Sequence, residues 1–305
     1  MKSQLLILSV LIFLFSVSCK SGKKNDRQED ASQELAFEMR QVVDSARYWW
    51  AVTVGDITGD KIADVVFIDN NSSGGYLGFC EGQKGDGIWK INKIAEKPPG
   101  GGEFASGDLE MGDMDNDGDL DVLAVKHTGE WDNAGAPAQL FWYENPEWQA
   151  HHIGIVPDAV KDLSLADFNN DNLLDLAALT YEEHTLTIFK QNEDKTFAKV
   201  KTMRVANLHE GMDTGDVDGD GDIDIAANGF CFINPGEDIS KEWRIETVDS
   251  KWHRQTGDWS KNATKTFCAD INNDGKAEIF ISPSERNRYP VSWYKRTSEG
   301  WMEHV

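Results

Sequence analysis

The chain has 305 residues and a formal net charge of −23, with 30 basic side chains against 53 acidic ones. That balance disfavours a nucleic-acid or anionic-membrane surface, both of which need clustered cations. A hydrophobic content of 40% excludes wholesale disorder, and the length suits one large β domain or two ordinary ones.

Residues 1–18 read as an export signal. Lys2 gives a short basic start, Leu5–Phe15 is an apolar run of 11 residues, and Ser16-Val17-Ser18 supplies small residues before Cys19. The apolar run is too short to cross a bilayer as a helix. The segment resembles a bacterial lipoprotein signal, which implies lipidation of Cys19. It departs from that pattern at Ser16, where Leu is usual, and ordinary secretion is the alternative. Residues 19–33 are polar and form a flexible tether, and residues 34–305 form a single domain. The expected location is a membrane-anchored lipoprotein on the periplasmic or cell-surface side of a bacterial outer membrane. Contact with the membrane is then through the N-terminal lipid alone.

Residues 37–44, "FEMRQVVD", have the pattern of an extra outer strand. They compete with the C-terminal "WMEHV" for closing whatever the rest of the chain builds. Cys80, Cys231 and Cys268 remain after Cys19; their apolar surroundings favour buried thiols, and a Cys231–Cys268 bridge stays open.

One loop recurs five times. "DITGDKIAD" starts at Asp56, "DMDNDGDLD" at Asp113, "DFNNDNLLD" at Asp167, "DVDGDGDID" at Asp216 and "DINNDGKAE" at Asp270, at intervals of 57, 54, 49 and 54 residues. Such spacing makes an internal repeat. Oxygens at positions 1, 3, 5 and 9 converge in a tight turn. The candidate ligands are Asp56, Thr58, Asp60 and Asp64; Asp113, Asp115, Asp117 and Asp121; Asp167, Asn169, Asp171 and Asp175; Asp216, Asp218, Asp220 and Asp224; and Asp270, Asn272, Asp274 and Glu278. An all-oxygen shell of this size suits Ca²⁺, and the lack of His or Cys disfavours zinc. Up to five ions are expected. The first site is the weakest, because Thr58 replaces a carboxylate and Lys61 stands where a turn wants glycine. An EF-hand is rejected: position 12 carries no Glu, and a short apolar run follows each loop.

Gly or Ala precedes each loop, and two further apolar-aromatic segments follow the buried run. Four strands per repeat of roughly 50 residues is the size of a propeller blade. The acidic loops and the "WYENP" pattern at Trp142–Pro146 resemble the FG-GAP/VCBS repeat family of integrin α-subunits and exported bacterial proteins. The resemblance covers nearly everything from about residue 35 onward. It implies an all-β, monomeric β-propeller, here of about five four-stranded blades, with a calcium loop between the first and second strands of each. The loops read as structural, because a closed oxygen cage leaves no open coordination position for catalysis.

A binding surface is expected on the opposite rim, where aromatic and ionisable residues concentrate. Trp50, His127, Trp131, His184, His209, His253, Trp259 and Arg286 are its candidate ligand-binding residues, and His152 a more remote member. Trp faces stack on sugar rings and charged groups bond hydroxyls, so the expected partner is a carbohydrate or a protein. The alternative is a polysaccharide lyase or sugar dehydratase, to which this repeat pattern also bears a resemblance. Its candidate acid–base groups are His209, Glu210, His253, Arg254 and Glu285.

Overall fold

The computed structural model describes residues 39–44, 49–69, 75–127, 136–254, 262–284 and 289–305, with Trp50 as backbone only. The expected signal and tether, with Cys19, lie outside the described residues.

Short β-rich runs between Gly- and Asp-bearing turns make five antiparallel sheets in chain order. Blade 1 is β1 (Trp49–Gly55), β2 (Asp64–Asp69), β3 (Tyr76–Glu81) and β4 (Lys90–Ala95). Blade 2 has a first strand broken into β5 (Glu103–Phe104) and β6 (Glu110–Gly112), both paired with β7 (Asp121–His127), then β8 (Ala138–Glu144) and β9 (Gln149–Val156). Blade 3 is β10 (Val160–Ala166), β11 (Asp175–Thr180), β12 (Thr185–Gln191) and β13 (Phe197–Arg204). Blade 4 is β14 (Met212–Gly215), β15 (Asp224–Ala227), β16 (Phe230–Ile233) and β17 (Arg244–Thr247). Blade 5 is β18 (Thr264–Ala269), β19 (Glu278–Pro283), β20 (Ser292–Thr297) and β21 (Gly300–His304). This is a five-bladed β-propeller, and each acidic loop joins the first strand of a blade to its second.

The second and third strands read as near-continuous apolar runs because both of their faces are covered; Asp175–Thr180 is buried at every residue. First strands of successive blades lie against one another, β1 with β6, β6 with β10, β10 with β14 and β14 with β18. Carboxylates stitch them together. Asp108 accepts the Leu163 backbone N–H at 3.1 Å, Asp162 that of Gly211 at 2.9 Å, and Asp213 that of Cys268 at 2.7 Å.

Four seams between blades are filled by buried apolar clusters. Ile57 and Phe104 mark the first, Met114 and Leu163 the second, Phe168 and Trp243 the third, Val217 and Ile279 the fourth. Among the described residues no such cluster joins blade 5 to blade 1. Phe267 is 51% exposed on β18, and Val54 is 61% exposed on β1. Phe267, Phe280, Trp293 and His304 lie ring by ring across blade 5.

Three points that the sequence left open are decided. "WMEHV" becomes the outer strand β21, paired with β20, so it wins the competition for that place. Residues 39–44 form no strand; the Val42 carbonyl accepts the Trp89 N–H, which places this segment on blade 1 rather than the last blade. Cys231 and Cys268 are free thiols, as is Cys80, so the bridge left open does not form. Burial pushes all three thiols up, Cys80 to about 11. His152 sits in the outer strand β9 against Phe141 at 5.2 Å, away from the rim.

Candidate functional site

The loop geometry begins with position 1, whose carboxylate caps the turn. Asp113 accepts the N–H groups of Asp117 and Gly118, both at 3.0 Å, and Asp270 those of Asp274 at 3.1 Å and Gly275 at 2.9 Å. Position 5 does the same for position 7, as Asp117 does for Asp119 at 3.0 Å. The turn demands a left-handed backbone twice. Position 6 has φ of 100° at Gly118 and 95° at Gly221, and Lys61 accepts 70° despite its side chain. Position 4 is the second such place, at Gly59, Asn116, Asn170, Gly219 and Asn273, all with positive φ. Sequence reading singled out only position 6, although Gly or Asn stands at position 4 in every copy.

Position 9 is a buried anchor. Asp64, Asp175 and Asp224 are 0% exposed and Asp121 and Glu278 1%. Asp224 accepts the N–H of Val217 at 3.0 Å and of Asn234 at 2.8 Å, tying the turn to the end of the third strand. Burial pushes Asp121, Asp175 and Asp224 each up to about 7, against the pull of these N–H donors. Side-chain amides from the next blade then latch three of the loops. Asn145 donates to the Ile57 carbonyl at 2.9 Å, Gln191 to that of Met114 at 2.6 Å, and Asn234 to that of Phe168 at 2.8 Å.

The five loops differ in how their oxygens converge. In the second, Asp113, Asp115 and Asp117 present carboxylate oxygens mutually within 4.8 Å; in the fourth, Asp216, Asp218 and Asp224 do. Burial and the neighbouring Asp220 push Asp218 up, and its Oδ1 is buried with no hydrogen-bond partner. In the third loop burial pushes Asp171 up, but Lys190 and Asn169 outweigh it and hold the carboxyl below its usual range. In the fifth, Lys295 holds Asp274 down. A cleft on this same face, lined by Asp56, Lys61, Phe79, Asp119 and Trp148, was not foreseen from the sequence.

On the opposite rim the structure brings some candidates together and separates others. His127 is 2% exposed with Nε2 3.1 Å from the Ala136 carbonyl oxygen. His253 is 3% exposed, stacked on Phe230 at 3.8 Å, with Nδ1 3.1 Å from the Asn228 carbonyl oxygen; Arg254 beside it is exposed. Trp131, Trp259, Glu285, Arg286 and the Trp50 side chain lie outside the described residues.

His184, His209 and Glu210 do meet, between blades 3 and 4. The His184 and His209 rings are edge to face at 4.8 Å, and His184 Nδ1 lies 2.7 Å from the Leu208 carbonyl oxygen. Burial, then His184, push His209 down to about 4, and its buried Nδ1 has no partner. Glu210 pairs with Lys161 at 3.0 Å, both side chains being 6% exposed, and the Lys161 ammonium stands 5.1 Å from the Tyr181 ring centroid. Sequence reading missed Lys161, because a lysine inside a strand gives no hint of its burial. The stitching carboxylates adjoin this cluster: burial pushes Asp108 up to about 6 and Asp162 to about 7, while Lys265 pulls both down.

A model of the FG-GAP-like repeat matches residues 113–178 and again 167–227. No curated protein matches the chain. Among solved structures, a protein from Lactobacillus plantarum is similar at a TM-score of 0.51 and 8% identity, over 86% of this chain and 72% of that one. The V. cholerae biofilm matrix protein Bap1 is similar at 0.50 and 16% identity, over 84% of this chain; the match spans only 40% of Bap1. Both likenesses are of fold.

Proposed function

Because the chain carries FG-GAP-like repeats folded as a five-bladed β-propeller, we propose that it is an exported, calcium-stabilised binding module that engages a carbohydrate through the rim opposite its acidic loops. The calcium part rests on the donor sets: the second and fourth loops offer three converging carboxylates each, all hard oxygen donors. Asp113, Asp115 and Asp117 would hold one ion, and Asp216, Asp218 and Asp224 another. The ion would neutralise carboxylates that otherwise repel at close range.

The observation that carries the binding reading is the cluster of His184, His209, Glu210, Lys161 and Tyr181. It joins aromatic faces to a buried ion pair, the mix that recognises ring faces and hydroxyls together. The same cluster weighs against elimination chemistry. A histidine pushed down to about 4 is neutral at pH 7 yet a weak proton acceptor, whereas a general base works best with a pKa near the working pH. A biofilm matrix protein shares the fold, which is compatible with a role outside the cell. Attachment through a lipidated Cys19 belongs to the proposal as well; Cys19→Ala would then release the protein from the membrane fraction.

The test is a thermal-shift screen against neutral and acidic oligosaccharides in saturating Ca²⁺, with each hit followed for the ultraviolet absorbance of an unsaturated sugar. Stabilisation without new absorbance, weakened by His209→Ala, supports a binding module. Stabilisation with rising absorbance identifies a lyase and refutes the binding reading. No hit with any sugar refutes the carbohydrate and turns attention to a protein partner.

A further inference from the structure

The five repeats carry different residues at one place beside the acidic loop. This is the third-strand residue just before the one whose backbone N–H, where the blade forms that bond, goes to position 9. It is Glu81, Glu144, Lys190, Ile233 and Lys295 in blades 1 to 5, an alignment fixed by register, since Tyr294 faces Ile279 as Phe189 faces Leu176 and Tyr143 faces Val122. The lysines occur only where position 3 of the loop is an amide, Asn169 or Asn272. Where position 3 is Asp115 or Asp218 the neighbour is Glu144 or Ile233. In the third and fifth repeats charge is therefore traded, an amide for a carboxylate in the loop going with an ammonium on the adjacent strand; the first repeat, with Thr58 and Glu81, makes no such trade.

The geometry follows the trade. In the third loop Lys190 and the Asn169 amide, the latter at 2.9 Å, both donate to Asp171 Oδ2. In the fifth, Lys295 lies 2.5 Å from Asp274 and 3.9 Å from Glu278, and Asn272 donates to the same Glu278 oxygen. Oxygens that a cation would need, at position 5 in both loops and at position 9 in the fifth, already face a side-chain ammonium or amide. An ammonium on a ligand oxygen also repels a divalent ion arriving at that oxygen.

The second and fourth loops keep convergent carboxylates. Lys195 of the neighbouring blade reaches Asp115 at 2.6 Å and, against burial, helps hold its carboxyl below the usual range, but among the described residues no ammonium pairs with Asp113 or Asp117 of the same set. Arg296 reaches Asp218 at 3.2 Å through Oδ2 and leaves Oδ1 unpartnered.

We infer that Lys190 and Lys295 are built-in counter-ions that take the place of Ca²⁺ in the third and fifth loops, so that the folded chain loads calcium in its second and fourth loops only. This rests on the calcium reading above and narrows the five ions expected from the sequence to two. The first loop, with Thr58 and Lys61, joins the unloaded set.

Counting Ca²⁺ per folded chain by native mass spectrometry and by calorimetric titration tests it. Two ions on the unaltered chain and four on the Lys190→Gln, Lys295→Gln double variant are expected, with Lys190→Arg, Lys295→Arg staying at two. Three or more ions on the unaltered chain would overturn the counter-ion inference while leaving the calcium reading intact. A glutamine variant that folds and still binds two would overturn it as well. If that variant fails to fold, the counts on the unaltered chain and on the arginine variant decide. No ion on any of them would sink the calcium reading and this inference together.

Discussion

Phe168 and Ile271 hold the same second position of the acidic loop, yet Phe168 is 0% exposed and Ile271 is 50% exposed. The same position is nearly closed off at Ile57, Met114 and Val217, at 3%, 1% and 0%. Each of those four packs into the seam with the following blade, and among the described residues no such cluster takes in Ile271. The latch differs in parallel. Asn145, Gln191 and Asn234 reach back onto the preceding loop, whereas blade 1 offers Gly82 at the equivalent place, with no side chain to reach anything. The loop motif closes its own turn but does not bury its own apolar residue. Burial comes from a neighbour.

That comparison can be broken by mutation. Phe168→Ala removes a ring packed against Trp243 at 5.8 Å and should cost about 3–5 kcal/mol in urea unfolding. Ile271→Ala should cost less than about 0.5 kcal/mol. Equal losses at the two sites would mean that the fifth seam is packed like the others. Asn234→Ala comes next. It leaves the Phe168 and Ile223 carbonyls without the donor they have at 2.8 and 2.9 Å, for about 1–3 kcal/mol, and an unchanged denaturation midpoint would show that the latch contributes nothing.

The stitching carboxylates give a smaller, pH-dependent effect on the sealed side. Asp108 and Asp162 are pushed up to about 6 and about 7 in the folded chain, above the unfolded value of roughly 4. The folded state thus binds more protons between those values, and the stability these groups add is complete below the unfolded pKa and lost as pH rises through the folded one. With calcium chelated, the raised Asp121, Asp175 and Asp224 act in the same direction. The melting temperature in chelator should therefore rise from pH 8 to pH 6, with about 1–2 kcal/mol of the gain due to Asp108 and Asp162 and more from the three loop acids. Asp162→Asn should flatten the rise, and a fall over that range would refute the assignment. The smallest effect belongs to the exposed ring on β18: Phe267→Ser, at a residue 51% exposed, should leave stability within about 0.5 kcal/mol by urea unfolding.

Much of this was written in local pattern. The repeat interval, the alternating acids and the apolar run after each loop specify a turn between two strands, because those features act within a dozen residues. Glycine or asparagine at positions 4 and 6 is equally local, and position 4 was legible had the copies been stacked column by column. The rim was legible only in part. His184, His209 and Glu210 come together as their nearness in the chain suggests, but Lys161 joins them from the preceding blade. His127 and His253, read from their loops as surface groups, are buried at 2% and 3%, one against a loop carbonyl and one against Phe230.

Residues near one another in the chain specify the repeat, the turn chemistry, the number of blades and the acidic character of one face. Tertiary structure decided which loop acids a lysine reaches, which carboxylates are stripped of water, which strand ends the last blade and which seams the described residues fill. Those outcomes depend on groups some 20 to 90 residues apart, as Lys190 is from Asp171 and Asn145 from Ile57. Charge compensation and desolvation depend on the distances that folding creates, and no acidic loop taken alone encodes them.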